Sequence, residues 1–458
     1  MNPDRIVLSG FFTKMRRVPG NFFSPFTEVP CGAFTALLLS VAAGQPGALA
    51  AEEEPDAGRT STAEVQCESC DDGLTGDWGG RRRSLAQAGI DINLSNTGDV
   101  FFIRQGGTET ATYTNLFSAG FSFDMERLAS MDGGSAYLWV VDTRGDDPAD
   151  VIGSVHAPSN IAAADAFRLL EAWYEQSAYD DRLGVLAGFY AVDSEFDSKY
   201  TTSVFISGSF GTGLDLSESG LNGPSIFPVT AFGTRIRYDV SEEVKVRLAL
   251  LDGVPGKPDD PTATGVLDFS SDQGVFAIGE VDWETRSESS FRRVVLGAWH
   301  YTTTFDDLLD TEPGGSPLQR KGSGGFYGFI EGMLVPEQGS PGQGLAGIVR
   351  VGVADDDVNQ VAGYYGAGLV YRGLFPGRDH DSIGIGFSTA VNGDKYQQAQ
   401  ALAGQPVTDS ETELVLVYSA SVNTWLQIQP TFEYIIDPGT DPAADNAFLA
   451  GLRIGVLF

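Results

Sequence analysis

The sequence predicts an all-β protein, a transmembrane antiparallel β-barrel of sixteen strands with a short periplasmic N-terminal segment ahead of it. Three observations lead there. Apolar and polar residues alternate with period two over stretches of about ten residues, near the ~9–11 needed to cross a bilayer at a tilt. No segment after residue 51 reads as an apolar helix: the longest uncharged stretch, Leu414 to Phe432, carries Ser, Asn, Gln and Pro. The connections alternate between tight and long, as barrel connections do.

The alternation is plainest near the C-terminus. Phe448, Ala450, Leu452, Ile454, Val456 and Phe458 are apolar, while Gly451, Arg453 and Gly455 lie between them. Leu426, Ile428, Pro430, Phe432, Tyr434 and Ile436 face away from Gln427, Gln429, Thr431 and Glu433. Val244, Val246, Leu248 and Leu250 alternate with Lys245, Arg247 and Ala249. One apolar and one polar face suits a strand between lipid and a wet lumen. Strands are expected over 90–105, 112–126, 134–144, 167–178, 182–193, 228–239, 243–252 and 274–285. Eight more follow over 291–305, 322–335, 343–354, 358–373, 381–392, 410–421, 425–436 and 446–458. The count is even, as in closed bacterial barrels. Connections at 179–181, 240–242, 286–290 and 422–424 are tight; those at 145–166, 194–227, 253–273, 306–321 and 393–409 are long and rich in Gly, Pro and Asp. The tight side is expected to be periplasmic. A soluble sandwich or propeller would alternate too, with its apolar face inward. Strand length and the terminal aromatic Phe458 favour the membrane barrel.

Composition narrows the function. With 29 Lys+Arg against 62 Asp+Glu, the formal charge is -33, which repels a phosphate backbone; nucleic acid is not an expected partner. Phe, Tyr, Val, Ile and Leu are too abundant for a disordered chain. Three Cys supply no disulfide framework. Residues 1–50 read as a signal peptide: Lys14, Arg16 and Arg17 precede an apolar run from Ala33 to Ala43, and Ala48-Leu49-Ala50 gives a small-x-small cleavage pattern. Met15 is an alternative start. A retained anchor is the other reading, against which Gly44, Pro46 and Gly47 interrupt the helix. The expected organisation is therefore a signal peptide over 1–50, a periplasmic segment over 51–89 and a barrel over 90–458.

Residues 74–81 read LTGDWGGR and are followed by Leu85-Ala86-Gln87-Ala88-Gly89-Ile90. This resembles the N-terminal motif of the carbohydrate-selective porin family, OprB type. The runs LEAWYEQ over 170–176, LVYRGLFPGRDHD over 369–381 and WLQIQPTFEYIIDPG over 425–439 resemble that family's fourth strand, late hairpin and penultimate strand, in the right order. Glu433 stands where Gln is usual, and the chain is more acidic than the family's sugar porins. Residues 51–71 are too short and acidic to fold alone, so no S-layer-binding module is expected ahead of the barrel. The resemblance, which spans about residues 72–458, implies a channel of the bacterial outer membrane for glucose-like sugars and other small solutes, driven by the concentration gradient. It implies lipid and the barrel-assembly machinery as partners, and a homotrimer. A general or cation-preferring porin is the alternative; a barrel enzyme or adhesin is a third.

Sugars are neutral and polyhydroxylated, so a channel can favour them with charged groups that donate and accept hydrogen bonds and with an aromatic face for ring C–H groups. Strand parity nominates Glu171, Trp173, Glu175, Arg235, Arg237, Arg247, Glu280, Asp282, Glu331, Arg350, Glu411, Glu413 and Arg453 as channel lining, with Lys245, Arg372 and Glu433 beside them. Leu170, Ala172 and Tyr174 are expected on the lipid side of Trp173. A ring of mixed sign passes neutral solutes. The plainer reading is that these charges solvate the lumen and pair with one another. The connection 194–227 is the candidate for a loop folded inward, since a barrel of this width needs narrowing; an exposed loop would share its composition.

The remaining motifs point nowhere firm. Cys67 and Cys70 lack a second pair for zinc and any redox fold, which leaves a local disulfide. His156, His300 and His380 are scattered. Acidic runs such as Asp355-Asp356-Asp357 suit a divalent cation or a solvated loop tip. No nucleophile–base pair, cofactor motif or metal cluster is expected, and the chain reads as a channel, not an enzyme.

Overall fold

The computed structural model describes residues 73–267, 273–287, 289–337, 339–340 and 342–458. The signal peptide, most of the segment 51–89, and Cys67 and Cys70 lie outside the described residues. Sixteen strands form one closed antiparallel barrel. They are β1 (Ile90–Gln105), β2 (Thr108–Asp124), β3 (Gly134–Gly145), β4 (Ala166–Ala178), β5 (Leu183–Tyr190), β6 (Ala231–Asp239), β7 (Val244–Asp252) and β8 (Val275–Ser287). The circuit continues through β9 (Ser290–Thr311), β10 (Pro317–Pro336), β11 (Gly344–Ala354), β12 (Val361–Arg372), β13 (Ser382–Asn392), β14 (Ser410–Ser421), β15 (Leu426–Ile436) and β16 (Ala447–Leu457). Each strand pairs with its sequence neighbours, and β1 pairs with β16 from Ser95↔Leu457 to Gln105↔Ala447, which closes the ring. Closure leaves no open edge of unpaired backbone, the condition for crossing hydrocarbon with strands. No helix among the described residues is long and apolar enough to cross a membrane.

Parity sorts the side chains as the sequence implies. Phe448, Leu452 and Ile454 are exposed on the outer surface, as are Val246, Leu248 and Leu250, while Leu449, Arg453 and Arg247 are buried inside. The tight turns from β4 to β5, β6 to β7, β8 to β9 and β14 to β15 lie at the end of the barrel that carries both ends of the described chain; the long connections 146–165, 191–230 and 393–409 lie at the other, together with the two-residue turn at Gly106 and Gly107. The N-terminal motif sits at the seam. A 3-10 turn, Trp78–Gly80, leads into a helix, Arg81–Gln87, and buried Arg82 donates to the carbonyls of Phe458 and Ile92, at 2.8 Å each. The Leu74 amide donates to the Leu457 carbonyl at 2.8 Å.

Two expectations need correction. The stretch 306–321 is no loop: β9 and β10 run on to Thr311 and back from Pro317, 22 and 20 residues long. Gln319 donates to Asp306 at 2.6 Å and Arg320 to Asp307 at 2.8 Å, so both faces of this extension are polar. With no contrast between faces, hydrophobic alternation cannot reveal it. The second correction concerns Leu170. Pairing of β3 with β4 skips a residue, from Trp139↔Glu171 to Val140↔Leu169, so Leu170 is extra. Such a bulge re-aims the side chain. Leu170 therefore turns inward, 0% exposed, against Trp139 and Phe227, and not toward lipid.

Candidate functional site

The barrel interior is occupied by its own loops. The connection between β5 and β6, residues 191–230, lies inside the barrel and is buried along most of its length. Phe196, Leu216 and Ile226 pack with Leu186, Phe276 and Trp299 of the wall. Further along, Phe205 and Phe210 stack at 4.4 Å and join Val370, Val415 and Val417. Apolar burial fixes the loop's outline; charged side chains of the wall fix its position.

Those charges act mainly on backbone. Glu280 accepts the Asp197 amide at 2.9 Å, and Glu331 accepts the amides of Tyr200 and Thr201 at 3.0 and 2.8 Å. Glu171 accepts the Ala191 amide at 3.0 Å. Arg293 donates to the Ser198 carbonyl at 2.6 Å while bridging Asp282 and Glu331. Arg350 grips the loop by side chains: it pairs with Asp197 at 2.8 Å and with Asp215, and lies over the rings of Tyr327 and Tyr364. Arg235 holds Glu195 at 2.7 Å and Glu175 at 3.1 Å. Charge-assisted bonds of this kind are roughly twice as strong as neutral ones, and each satisfies a group that burial would otherwise penalise. Burial alone would raise the Asp197 carboxyl, but Arg350 and Lys199 outweigh it and hold the group below its usual range. Asp193 lacks such a partner: burial, with Glu171 nearby, pushes it well above the carboxylate range.

A second loop, residues 146–165, also enters the lumen, which the sequence did not announce. The helix Pro148–Ile152 is capped by Asp147, whose carboxylate accepts the Ala149 amide at 2.8 Å. Beyond it the Glu411 carboxylate accepts the amides of Val155 and His156 at 2.9 Å each, the Ser154 hydroxyl and the Gly439 amide. His156 Nδ1 lies 2.9 Å from the same carboxylate. Arg453 binds Asp99 through two contacts of 2.7 Å and reaches Asn160 of this loop at 2.7 Å. The signal that could have found it is apolar: Val151, Ile152, Val155 and Ile161 stand in a connection otherwise made of Ala, Asp, one His and turn residues.

All thirteen nominated residues stand on the inner face, but few meet open space. Glu413 is buried against Ser207 at 2.7 Å, and Arg247 bridges Glu280 and Asp282 at 2.9 and 3.3 Å. Arg237, toward the tight-turn end, pairs with Asp239 at 2.7 Å. Trp173 is half-buried; its indole N–H donates to Glu171 at 2.7 Å and its ring lies 5.5 Å from Tyr137. Lys245 and Arg372 are also half-buried, and Glu433 is buried. The carboxylates of Asp355, Asp356 and Asp357 approach within 4.8 Å, but Lys395 at 2.7 Å and Arg320 at 3.5 Å already pair with Asp357. A cavity of about 490 Å³ opens below the inserted loop at the tight-turn end.

A closed barrel with loops clamped in its lumen is the architecture of a porin, a channel and not an enzyme. The chain belongs to the carbohydrate-selective porin, OprB family, whose model matches residues 108–458. It is 25% identical to Porin B of Pseudomonas aeruginosa over 424 residues, 84% of this chain and 91% of that one. The putative porin QuiX of Acinetobacter baylyi is 20% identical over 421 residues, 84% and 93% of the two chains. The high-pH structure of Pseudomonas putida OprB superposes with a TM-score of 0.78 at 23% identity, covering 85% of this chain and 99% of that one.

Proposed function

We propose that the protein is an outer-membrane channel for passive diffusion of glucose-like carbohydrates and other small solutes. Membership of a carbohydrate-selective porin family carries this reading. The charge pattern supports it: inside the barrel, Arg235, Arg247, Arg293, Arg350 and Arg453 each meet a carboxylate, so the inner wall offers no unmatched positive field to select anions. The lining proposed from strand parity, from Glu171 and Trp173 round to Arg453, then acts largely by holding the loops that shape the passage. The outer surface faces lipid, the tight turns face the periplasm, the barrel-assembly machinery inserts the chain, and three copies assemble as a trimer. Liposome swelling across sugars of increasing size is the test. Glucose should enter faster than a disaccharide; no sugar-dependent swelling from correctly assembled protein would refute the reading.

The net charge of -33 favours a second reading, a cation-preferring general porin. Reversal potentials separate the two. Carboxylates concentrated in surface loops give a modest cation preference that fades with salt. A preference persisting at molar salt would place unpaired carboxylates in the passage itself.

A further inference from the structure

The cavity below the inserted loop differs from the rest of the lumen. It is roofed by Tyr200 and Thr201 and walled by the tight-turn ends of β12, β14 and β15. In a chain with 62 acidic residues, no Asp or Glu is found among its described lining residues. Its polar groups are instead amides and hydroxyls, together with Arg372 and His380. Two of the amides are half satisfied. Gln429 is 2% exposed and donates to the Val204 carbonyl at 3.3 Å, and Gln427 donates to Ser419 at 2.7 Å. Their side-chain oxygens, and the Thr201 hydroxyl above them, have no hydrogen-bond partner among the described residues. Buried polar atoms are rarely left so in folded proteins, because each forfeits its hydration. Phe291 of β9, beside the Tyr200 ring, and Val370 of β12 add apolar surface.

We infer that this cavity is a binding subsite for a neutral polyhydroxylated solute on the tight-turn side of the constricting loop. The inference rests on the sugar-channel reading and deepens it. A sugar's hydroxyls would donate to the two Gln oxygens, its ring oxygen or a further hydroxyl would accept from Thr201, and its C–H face would lie on Phe291 and Val370. A carboxylate binds a sugar hydroxyl strongly but must first shed tightly held water; neutral amide acceptors, with no Asp or Glu among the described lining residues, suit a ligand that must also leave.

The test is block of single channels by glucose added to one side at a time, using the full chain in planar bilayers. Wild type should be blocked at lower glucose concentration from the tight-turn side. Gln429→Leu and Gln427→Ala should each raise the half-blocking concentration from that side by about three- to tenfold, the loss of one neutral hydrogen bond. Block from the other side should change less. Gln427 is the less buried of the two, so its variant serves if Gln429→Leu fails to show heat-modifiable migration. If glucose permeates liposomes but both variants block like wild type, the subsite is wrong and the channel reading stands. If glucose neither permeates nor blocks wild type, both fall.

Discussion

Trp173 shows how far one residue could be read from its neighbours. Parity placed its indole inside, and it is inside, yet the same parity put Leu170 outside. The bulge at that point shifts the phase by one residue, and nothing in an apolar leucine records a phase shift. Glu171 is similar: its inward aim was legible, its partners were not, because one is the indole and the other an amide twenty residues along the chain. Trp173→Ala removes a donor to Glu171 and a ring beside Tyr137, and opens space in the half-buried part of the lumen. Glucose block should weaken, while small-ion conductance stays similar or rises. Unchanged block in a correctly assembled variant would remove Trp173 from the solute path.

At the scale of elements, the strands were readable and the loops' destinations were not. Alternation marks a strand because lipid and lumen differ; where both faces are wet, as in the extension of β9 and β10, the signal vanishes. Loop composition says only that a segment is polar and turns often. The clamps that draw two loops inward join residues from distant elements, and Arg350 is the plainest. Arg350→Ala leaves Asp215 buried without an ion-pair partner and Asp197 with Lys199 alone, a loss of about 3–5 kcal/mol for a broken buried pair. The loop should leave the wall, conductance should rise, and protease should cut within 191–230; an intact loop and unchanged conductance would show that apolar packing alone positions it.

The loop 146–165 should respond to pH. Burial opposes charge on His156, but Glu411 outweighs it and the imidazole is raised above its ordinary value of 6.5. A raised histidine contributes stability in full below about pH 6.5. That contribution is lost as pH climbs through the shifted value. Proteolysis of this loop, or gating noise from it, should increase on going alkaline, and His156→Gln should flatten the dependence. A loop equally protected from pH 6 to 9 would count against the clamp.

For the molecule as a whole, closure is the decisive event. β1 and β16 lie at opposite ends of the barrel sequence, so their pairing joins residues hundreds of positions apart, 354 in the case of Asp99 and Arg453. The seam carries extra fastening: the Phe458 amide donates to the Leu94 carbonyl at 2.9 Å, and the Phe458 carbonyl accepts from Arg82. The terminal aromatic was legible as a strand end; its bond to Arg82 of the helix Arg81–Gln87 was not, since no periodicity links the two. Removing Phe458 should reduce assembled barrel, seen as loss of heat-modifiable migration, while export across the inner membrane continues. Normal yield would argue against a role for the seam.

The wall's habit of gripping main-chain amides has a consequence for how such a pore can change. Glu280, Glu331, Glu171 and Glu411 hold N–H groups that every residue except proline provides. Substitutions at Tyr200 or Thr201, which border the cavity, would alter what a passing solute meets without releasing the backbone from its anchors. The passage can thus be retuned for a new diet by single changes in loop side chains, while the scaffold that holds the loop in place is inherited unaltered.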